Sequence, residues 1–184
     1  MNDHQPLIQP YRDHWARDFV IIKTVIEEVL SDKTSIAIEH VGSTAVPGLA
    51  AKPIIDIDIV HGTEAFPIIK NGLETLGYFH NGNQGIPDRE VFKRNRTLSP
   101  HPVLDSIQHH LYVCPDFSEE LKKHLLFRNY LRGHAEARKH YETIKIQLAK
   151  EARQDRKVYA MLKEEKASDF IASTLSKARK ESFT

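Results

Sequence analysis

The sequence predicts an α+β fold, from two observations. Apolar residues alternate with polar ones in short runs through the first two thirds of the chain, and they recur at helical spacing through the last third. The chain also has 184 residues, of which 40% are hydrophobic and 28% charged, enough apolar side chain to bury a core of ordinary size. One domain over residues 1–184 is expected, with a sheet-bearing part from about 10 to 115 and a helical part from about 116 to 180.

Trp15, Phe19, Ile22, Ile26 and Val29 are spaced 4, 3, 4 and 3 residues apart, which predicts an amphipathic helix from about Asp13 to Leu30. The polar set Ser31-Asp32-Lys33-Thr34-Ser35 ends it. Ile36, Ile38 and Val41 predict a short strand that runs into the turn Gly42-Ser43-Thr44. Pro47, Gly48 and Pro53 keep the following segment out of regular pairing. Ile54 to Val60 is the clearest strand, with Ile55, Ile57 and Ile59 on one face and Asp56 and Asp58 on the other. Phe66, Ile69, Leu73 and Leu76 predict a second helix closed by Gly77. Tyr78 to Pro102 is rich in Gly, Asn, Pro and Arg, with a strand at Glu90–Arg94. His109 to Cys114 predicts another strand, His110 and Tyr112 sharing one side. Helices are expected over Phe117–Leu131, Glu136–Ala149 and Asp155–Ala178, the last with a solvated Lys/Glu face.

Composition excludes several classes. Lys and Arg total 26 against 25 Asp and Glu, a formal charge of +1, so a broad nucleic-acid footprint is not expected. No apolar run approaches the ~20 residues of a membrane span. The first ten residues lack a basic segment followed by an apolar one, so no secretory signal is expected. Cys114 is the single cysteine, which excludes an internal disulfide and a cysteine-rich zinc module. A cytoplasmic location is the expectation.

The residues that could carry chemistry cluster between positions 40 and 60. Two carboxylates at i and i+2 on one strand face lie roughly 7 Å apart at their Cα atoms, close enough to converge on one hard cation. A Gly-Ser turn can aim backbone N–H groups and a hydroxyl at phosphate. Gly42-Ser43-Thr44 with Asp56 and Asp58 therefore describes a metal-assisted phosphoryl or nucleotidyl transfer site, magnesium or manganese being held by the two aspartates. The competing reading is a half-buried strand whose aspartates are merely solvated, although Asp is disfavoured in strands.

The stretch from Ile38 to Ile57, IEHVGSTAVPGLAAKPIIDI, closely resembles the signature of the GrpB family, regarded as a branch of the nucleotidyltransferase superfamily with the polymerase-beta palm fold. The resemblance continues through Gly77-Tyr78, Pro87-Asp88-Arg89, His109-His110-Leu111, the run from Leu126 to Arg132, Tyr141 with Lys145, and Tyr159. It implies a nucleotidyltransferase-like mixed β-sheet with helices on one face and a C-terminal helical layer. By position it implies Gly42 and Ser43 on phosphate and Asp56 with Asp58 on magnesium. It implies a nucleoside triphosphate donor and an unidentified small acceptor. The superfamily often adds a third acid on a later strand; the strand His109–Cys114 offers none and presents His110, with Tyr112 where the family usually has a second histidine. A related domain fused to dephospho-CoA kinase links the family to coenzyme A metabolism by analogy, and leaves open a non-catalytic binding module or a protein partner.

Other candidates each carry two readings. His40 beside the turn either contacts phosphate or is a hydrogen-bonded structural histidine. Lys52 either offsets phosphate charge or is a solvated loop lysine. Arg89 reads as an arginine clamp in a Gly/Pro-rich loop. Arg128 and Arg132, one helical turn apart, reach either an anionic substrate or a structural carboxylate, and Tyr141 with Lys145 repeats that spacing. His110 or Arg89 completes the catalytic set in place of the missing acid.

Overall fold

The computed structural model describes residues 5–30, 34–62 and 64–181. Helix α1 spans His14–Leu30 and buries Trp15, Ile22, Ile26 and Leu30. Its deepest stripe thus ends on Leu30 rather than Val29, one residue further round the helix. Of the polar set assigned to its end, positions 31–33 lie outside the described residues. Strand β1 (Ile36–Val41) leads into a single 3-10 turn at Ser43–Ala45, and β2 follows at Ile55–His61. Helix α2 is Phe66–Thr75. A Cβ on its Gly72 would sit 2.4 Å from Leu30 Cδ2, so glycine lets α2 close against α1 here without displacing the Leu30 side chain.

The segment after α2 holds more structure than its composition predicts. Strand β3 is Tyr78–His80, β4 is Glu90–Arg94, and a short helix α3 occupies Pro102–Ser106. That helix starts without the usual Ser, Thr, Asp or Asn cap: His101 Nδ1 accepts the N–H groups of Val103 and Leu104, each at 3.3 Å. Strand β5 is His109–Pro115. The helical layer comprises α4 (Glu119–Gly133), α5 (Ala135–Glu151), α6 (Arg156–Lys166) and α7 (Ser168–Glu181). The long final helix expected from Asp155 to Ala178 is therefore two, broken at a buried Ala167 without any Pro or Gly to mark it.

The five strands form one mixed sheet in the order β1-β2-β5-β4-β3. β2 and β5 run parallel at its centre, and the other neighbours are antiparallel. The register sets Asp56 opposite His110 and Asp58 opposite Tyr112. Ile55, Ile57 and Ile59 join Leu111, Val113 and Phe92 in a core closed by α1 and α2. The aspartate face turns toward the helical layer, as the period-2 alternation requires.

A second apolar cluster seats the helical layer. It combines Val46, Leu49 and Ala50 from the loop after the 3-10 turn with Leu131, Tyr141, Leu148 and Tyr159 from the helices. Leu7 and Ile8 also belong to it, and that segment is tied to the loop by a two-way backbone bridge between Gln9 and Ala51 at 2.8 and 2.9 Å. None of the helices is long and apolar enough to cross a membrane, among the described residues.

Candidate functional site

Between the aspartate face of the sheet and the helical layer lies a cavity of about 450 Å³. Gly42, Ser43, Thr44, Lys52, Asp56 and His110 all line it, so six of the positions singled out in the sequence meet in one place. The helices supply the opposite wall with Glu120, His124, Phe127, Tyr141, Lys145 and Lys163.

The turn and the strand are fitted to each other at Gly42. Its φ of 72° and ψ of −170° belong to a region that essentially only glycine occupies. A Cβ there would also lie 2.3 Å from Asp56 Oδ2. Glycine is thus needed twice, for the backbone conformation and for the approach of the carboxylate. The other oxygen of Asp56 lies 2.8 Å from His110 Nδ1, which orients the carboxylate from the neighbouring strand.

Asp58 occupies a different environment. Its side chain has no exposed surface, and His124 Nδ1 from α4 donates to its Oδ2 at 2.7 Å. Burial pushes the Asp58 pKa up, and the hydrogen bond from His124 works against that shift. Asp58 Oδ1 is buried with no hydrogen-bond partner. His124 Nε2 faces Glu120 Oε1 at 3.6 Å. Burial disfavours the imidazolium, but the hydrogen bonds to Asp58 and Glu120 outweigh it and raise the His124 pKa to about 9. Asp58 is thus neither solvated nor on the cavity lining; it is sealed beneath a charged histidine.

Lys145 reaches in from α5. Its Nζ donates to Ala50 O at 2.5 Å and lies 3.0 Å from Ser43 Oγ, with the Tyr141 ring centroid 4.8 Å away. Burial, and the nearby charge of Lys163, lower its pKa to about 7. Lys163 behaves oppositely: the Tyr141 oxygen, against the cost of burial and with help from Tyr159 and Asp56, holds its pKa above the usual lysine value. Lys163 lies in the run assigned to a solvated face, and its place on the cavity wall corrects that assignment for this residue. Lys52 is half-buried with its amine 5.2 Å from the Tyr159 ring, and burial lowers its pKa.

Four further sequence candidates join Asp58 off the lining. His40 is buried, stacked on Phe19 at 4.7 Å between centroids, and paired with Thr44 Oγ1 at 3.1 Å. Because the Thr44 hydroxyl donates to Ile54 O, His40 Nε2 carries the proton and donates to Thr44. Burial drives the His40 pKa down to about 4, so it is a neutral brace for the turn rather than a cationic contact. Arg128 donates to Glu39 Oε2 at 2.6 Å and to His40 O at 2.8 Å. Arg132 donates twice to Ala45 O, at 2.9 and 2.7 Å. Both arginines thus fasten α4 to β1 and the turn. Arg89 lies over the Tyr112 ring at 4.7 Å, its Nε buried and without a hydrogen-bond partner.

Replacing Arg128 by alanine is expected to cost about 1.5–3 kcal/mol, the range for hydrogen bonds to a charged group. Chemical denaturation measures that loss. If Arg128 touched the ligand instead, the variant would fold normally and bind weakly.

His124, Glu120 and Lys163 escaped the sequence reading. A histidine on a mostly polar helix has no local signal, since its partner Asp58 is 66 residues away.

A family model described as GrpB protein matches residues 5–177. The chain belongs to the GrpB family. The crystal structure of conserved protein GrpB from Enterococcus faecalis superposes with a TM-score of 0.76 at 28% identity, covering 96% of this chain and 99% of that one. The chain is 27% identical over 175 residues to the glutamate-rich protein GrpB of Alkalihalophilus pseudofirmus, covering 93% of this chain and 97% of that protein. It is 35% identical over 140 residues to the UPF0157 protein YqkA of Bacillus subtilis, covering 76% of this chain but only 38% of YqkA. A GrpB unit can thus make up nearly all of one relative and well under half of another. The Cid1 poly(U) polymerase is a distant likeness, with a TM-score of 0.37 at 8% identity over 68% of this chain, too loose to carry an argument about this GrpB site.

Proposed function

We propose that this GrpB protein binds a nucleoside triphosphate in the cavity and transfers its nucleotidyl group to an unidentified small acceptor. The observation that carries this reading is the pairing of walls: the Gly42-Ser43 turn and Asp56 on one side, Lys145 and Lys163 on the other. Gly42 and Ser43 hold the terminal phosphates through backbone N–H groups and the hydroxyl. The lysines offset phosphate charge, and Tyr112, Phe127 and Tyr159 offer ring faces for a base.

The donor set suits a hard divalent cation. Asp56 keeps Oδ2 beside Gly42 while His110 occupies Oδ1, and Asp58 keeps the unpartnered Oδ1. Asp56 on the lining would hold magnesium or manganese, joined by Asp58 once its buried Oδ1 turns out from beneath His124, and the metal would supply charge neutralisation on the phosphates. His110 positions Asp56, and His124 holds Asp58 before that turn. An acceptor hydroxyl or amine attacks the α-phosphorus, and pyrophosphate leaves.

A thermal-shift screen against nucleoside triphosphates, with and without magnesium, tests the reading. A stabilisation that requires both is expected, about 2.7 kcal/mol at a hundredfold excess over Kd. Asp56→Asn should lose it while keeping its own melting temperature within a few degrees. No shift with any triphosphate would overturn the proposal.

One observation favours a second reading, a binding module without turnover. One oxygen of Asp58 is committed to His124, and β5 contributes His110 and Tyr112 rather than an acid. That reading expects the same shift, including with coenzyme A precursors, but no pyrophosphate release with any acceptor.

A further inference from the structure

The lysine behind Ser43 is unusual in what it lacks. Lys145 is 2% exposed, and neither of its hydrogen-bond partners is a carboxylate: one is the Ser43 hydroxyl and the other a backbone carbonyl. The acid nearest in sequence, Glu142 on the preceding turn of α5, gives Oε2 to the backbone N–H of Ala50 at 2.7 Å. The charged groups acting on it are the Lys163 ammonium from α6 and the Glu142 carboxylate from α5, with the Tyr141 ring beside it and Tyr159 on the same cavity wall. A full positive charge at this position would be buried beside another cation, offset only by the Glu142 carboxylate, which is itself engaged by the Ala50 N–H, and that is costly. A neutral amine fits the two contacts without that cost. Nζ donates to Ala50 O and to Ser43 Oγ, and in the neutral form its lone pair is free to accept the Ser43 O–H instead. Ser43 itself is half-buried and lines the cavity, so an anion arriving there adds counter-charge.

We infer that Lys145 waits as a neutral amine and takes up a proton when a polyphosphate anion seats against Ser43, so that binding in this cavity is coupled to proton uptake. This rests on the phosphate-holding role given to the turn above, and it adds what that role leaves open: which ionic form of ligand and protein combine. Before binding, the Ser43 proton points at Lys145. On binding, the amine gains a proton from solvent and becomes an ammonium. Its N–H then donates to Ser43 Oγ, and the Ser43 O–H turns to a phosphate oxygen. The ligand is drawn in as its fully ionised form, and the nearby Lys163 is charged throughout. The depressed pKa of Lys145, about 7, agrees with this picture.

The coupling is measured by titration calorimetry of the full chain with adenosine triphosphate, whose terminal phosphate is already fully ionised, at about pH 8, one unit above that value, in three buffers of different ionisation enthalpy. The observed heat should vary linearly with buffer enthalpy, with a slope near one proton taken up per ligand. Affinity should fall by close to tenfold per pH unit from about 7.5 to 8.5. Lys145→Met should still bind, more weakly, with a slope near zero. Binding heat that is the same in every buffer would overturn the coupling and leave the phosphate seat standing. Uptake that persists in Lys145→Met would assign the proton elsewhere and overturn the role of Lys145. Absence of binding heat in all three buffers would overturn the phosphate seat as well. The wild-type slope and pH series stand as tests even if the methionine variant does not fold.

Discussion

Replacing His124 by alanine is expected to destabilise the protein by about 3–5 kcal/mol, the range for removing one partner of a buried charge pair. His124 is the hydrogen-bond donor to an aspartate with no exposed surface, and its loss leaves Asp58 with neither oxygen satisfied. Urea denaturation of the two proteins measures it. A difference below about 1 kcal/mol would mean that Asp58 is held by something other than this pair.

The same pair sets a pH dependence. The folded pKa of His124, about 9, lies above its ordinary 6.5, so the folded state binds more protons than the unfolded state between those values. Its contribution is complete below pH 6.5 and is lost as pH rises through 9. Lys145 acts in the opposite sense. Its folded pKa of about 7 lies below the ordinary 10.5, so in that window the unfolded state binds more protons and stability rises with pH. The wild-type profile between pH 7 and 9 is therefore a difference of opposed slopes. Stability plotted against pH for His124→Ala should climb more steeply there than for the wild type. Parallel curves would show that His124 does not carry the extra proton.

Gly42→Ala is expected to abolish any response to ligand and to cost at least the ~1–3 kcal/mol of a residue forced into a glycine-only backbone region. The added methyl also collides with Asp56 Oδ2, so the carboxylate must leave the position His110 gives it. Gly48→Ala separates the two effects. Gly48 also has positive φ, 76°, but a Cβ there meets only Arg138 Nε at an ordinary 3.8 Å. Both variants should lose stability, and only Gly42→Ala should lose ligand binding along with it. Equal binding losses would remove the special fit between the turn and Asp56.

Much of the sheet was legible because strand alternation is a local property. Ile55, Asp56, Ile57 and Asp58 fix which side each faces whatever the sheet order, and the parity of His110 and Tyr112 follows the same rule. Strand β3 was hidden because three residues after Gly77 are too few to display a period. The short α3 was hidden because its cap is a histidine, and the α6–α7 break because no helix-breaking residue marks it. At the site, Gly42, Ser43 and Asp56 stood out as residue types with few other reasons to occur together. Arg128 and Arg132 carried a charge and a spacing that fit either a substrate or a carbonyl, and spacing alone does not choose.

The sequence by itself determined the α+β class, the two faces of β2, and the place of the Gly42-Ser43 turn between β1 and β2. It did so because each depends on neighbours within a few residues. Only the tertiary structure decided that Asp58 is sealed beneath His124, that Arg128 and Arg132 fasten α4 to β1 and the turn, and that Lys145 is buried behind Ser43. Those facts depend on burial and on partners 66 to 102 residues away, and the charge state of a side chain is set by what surrounds it in space.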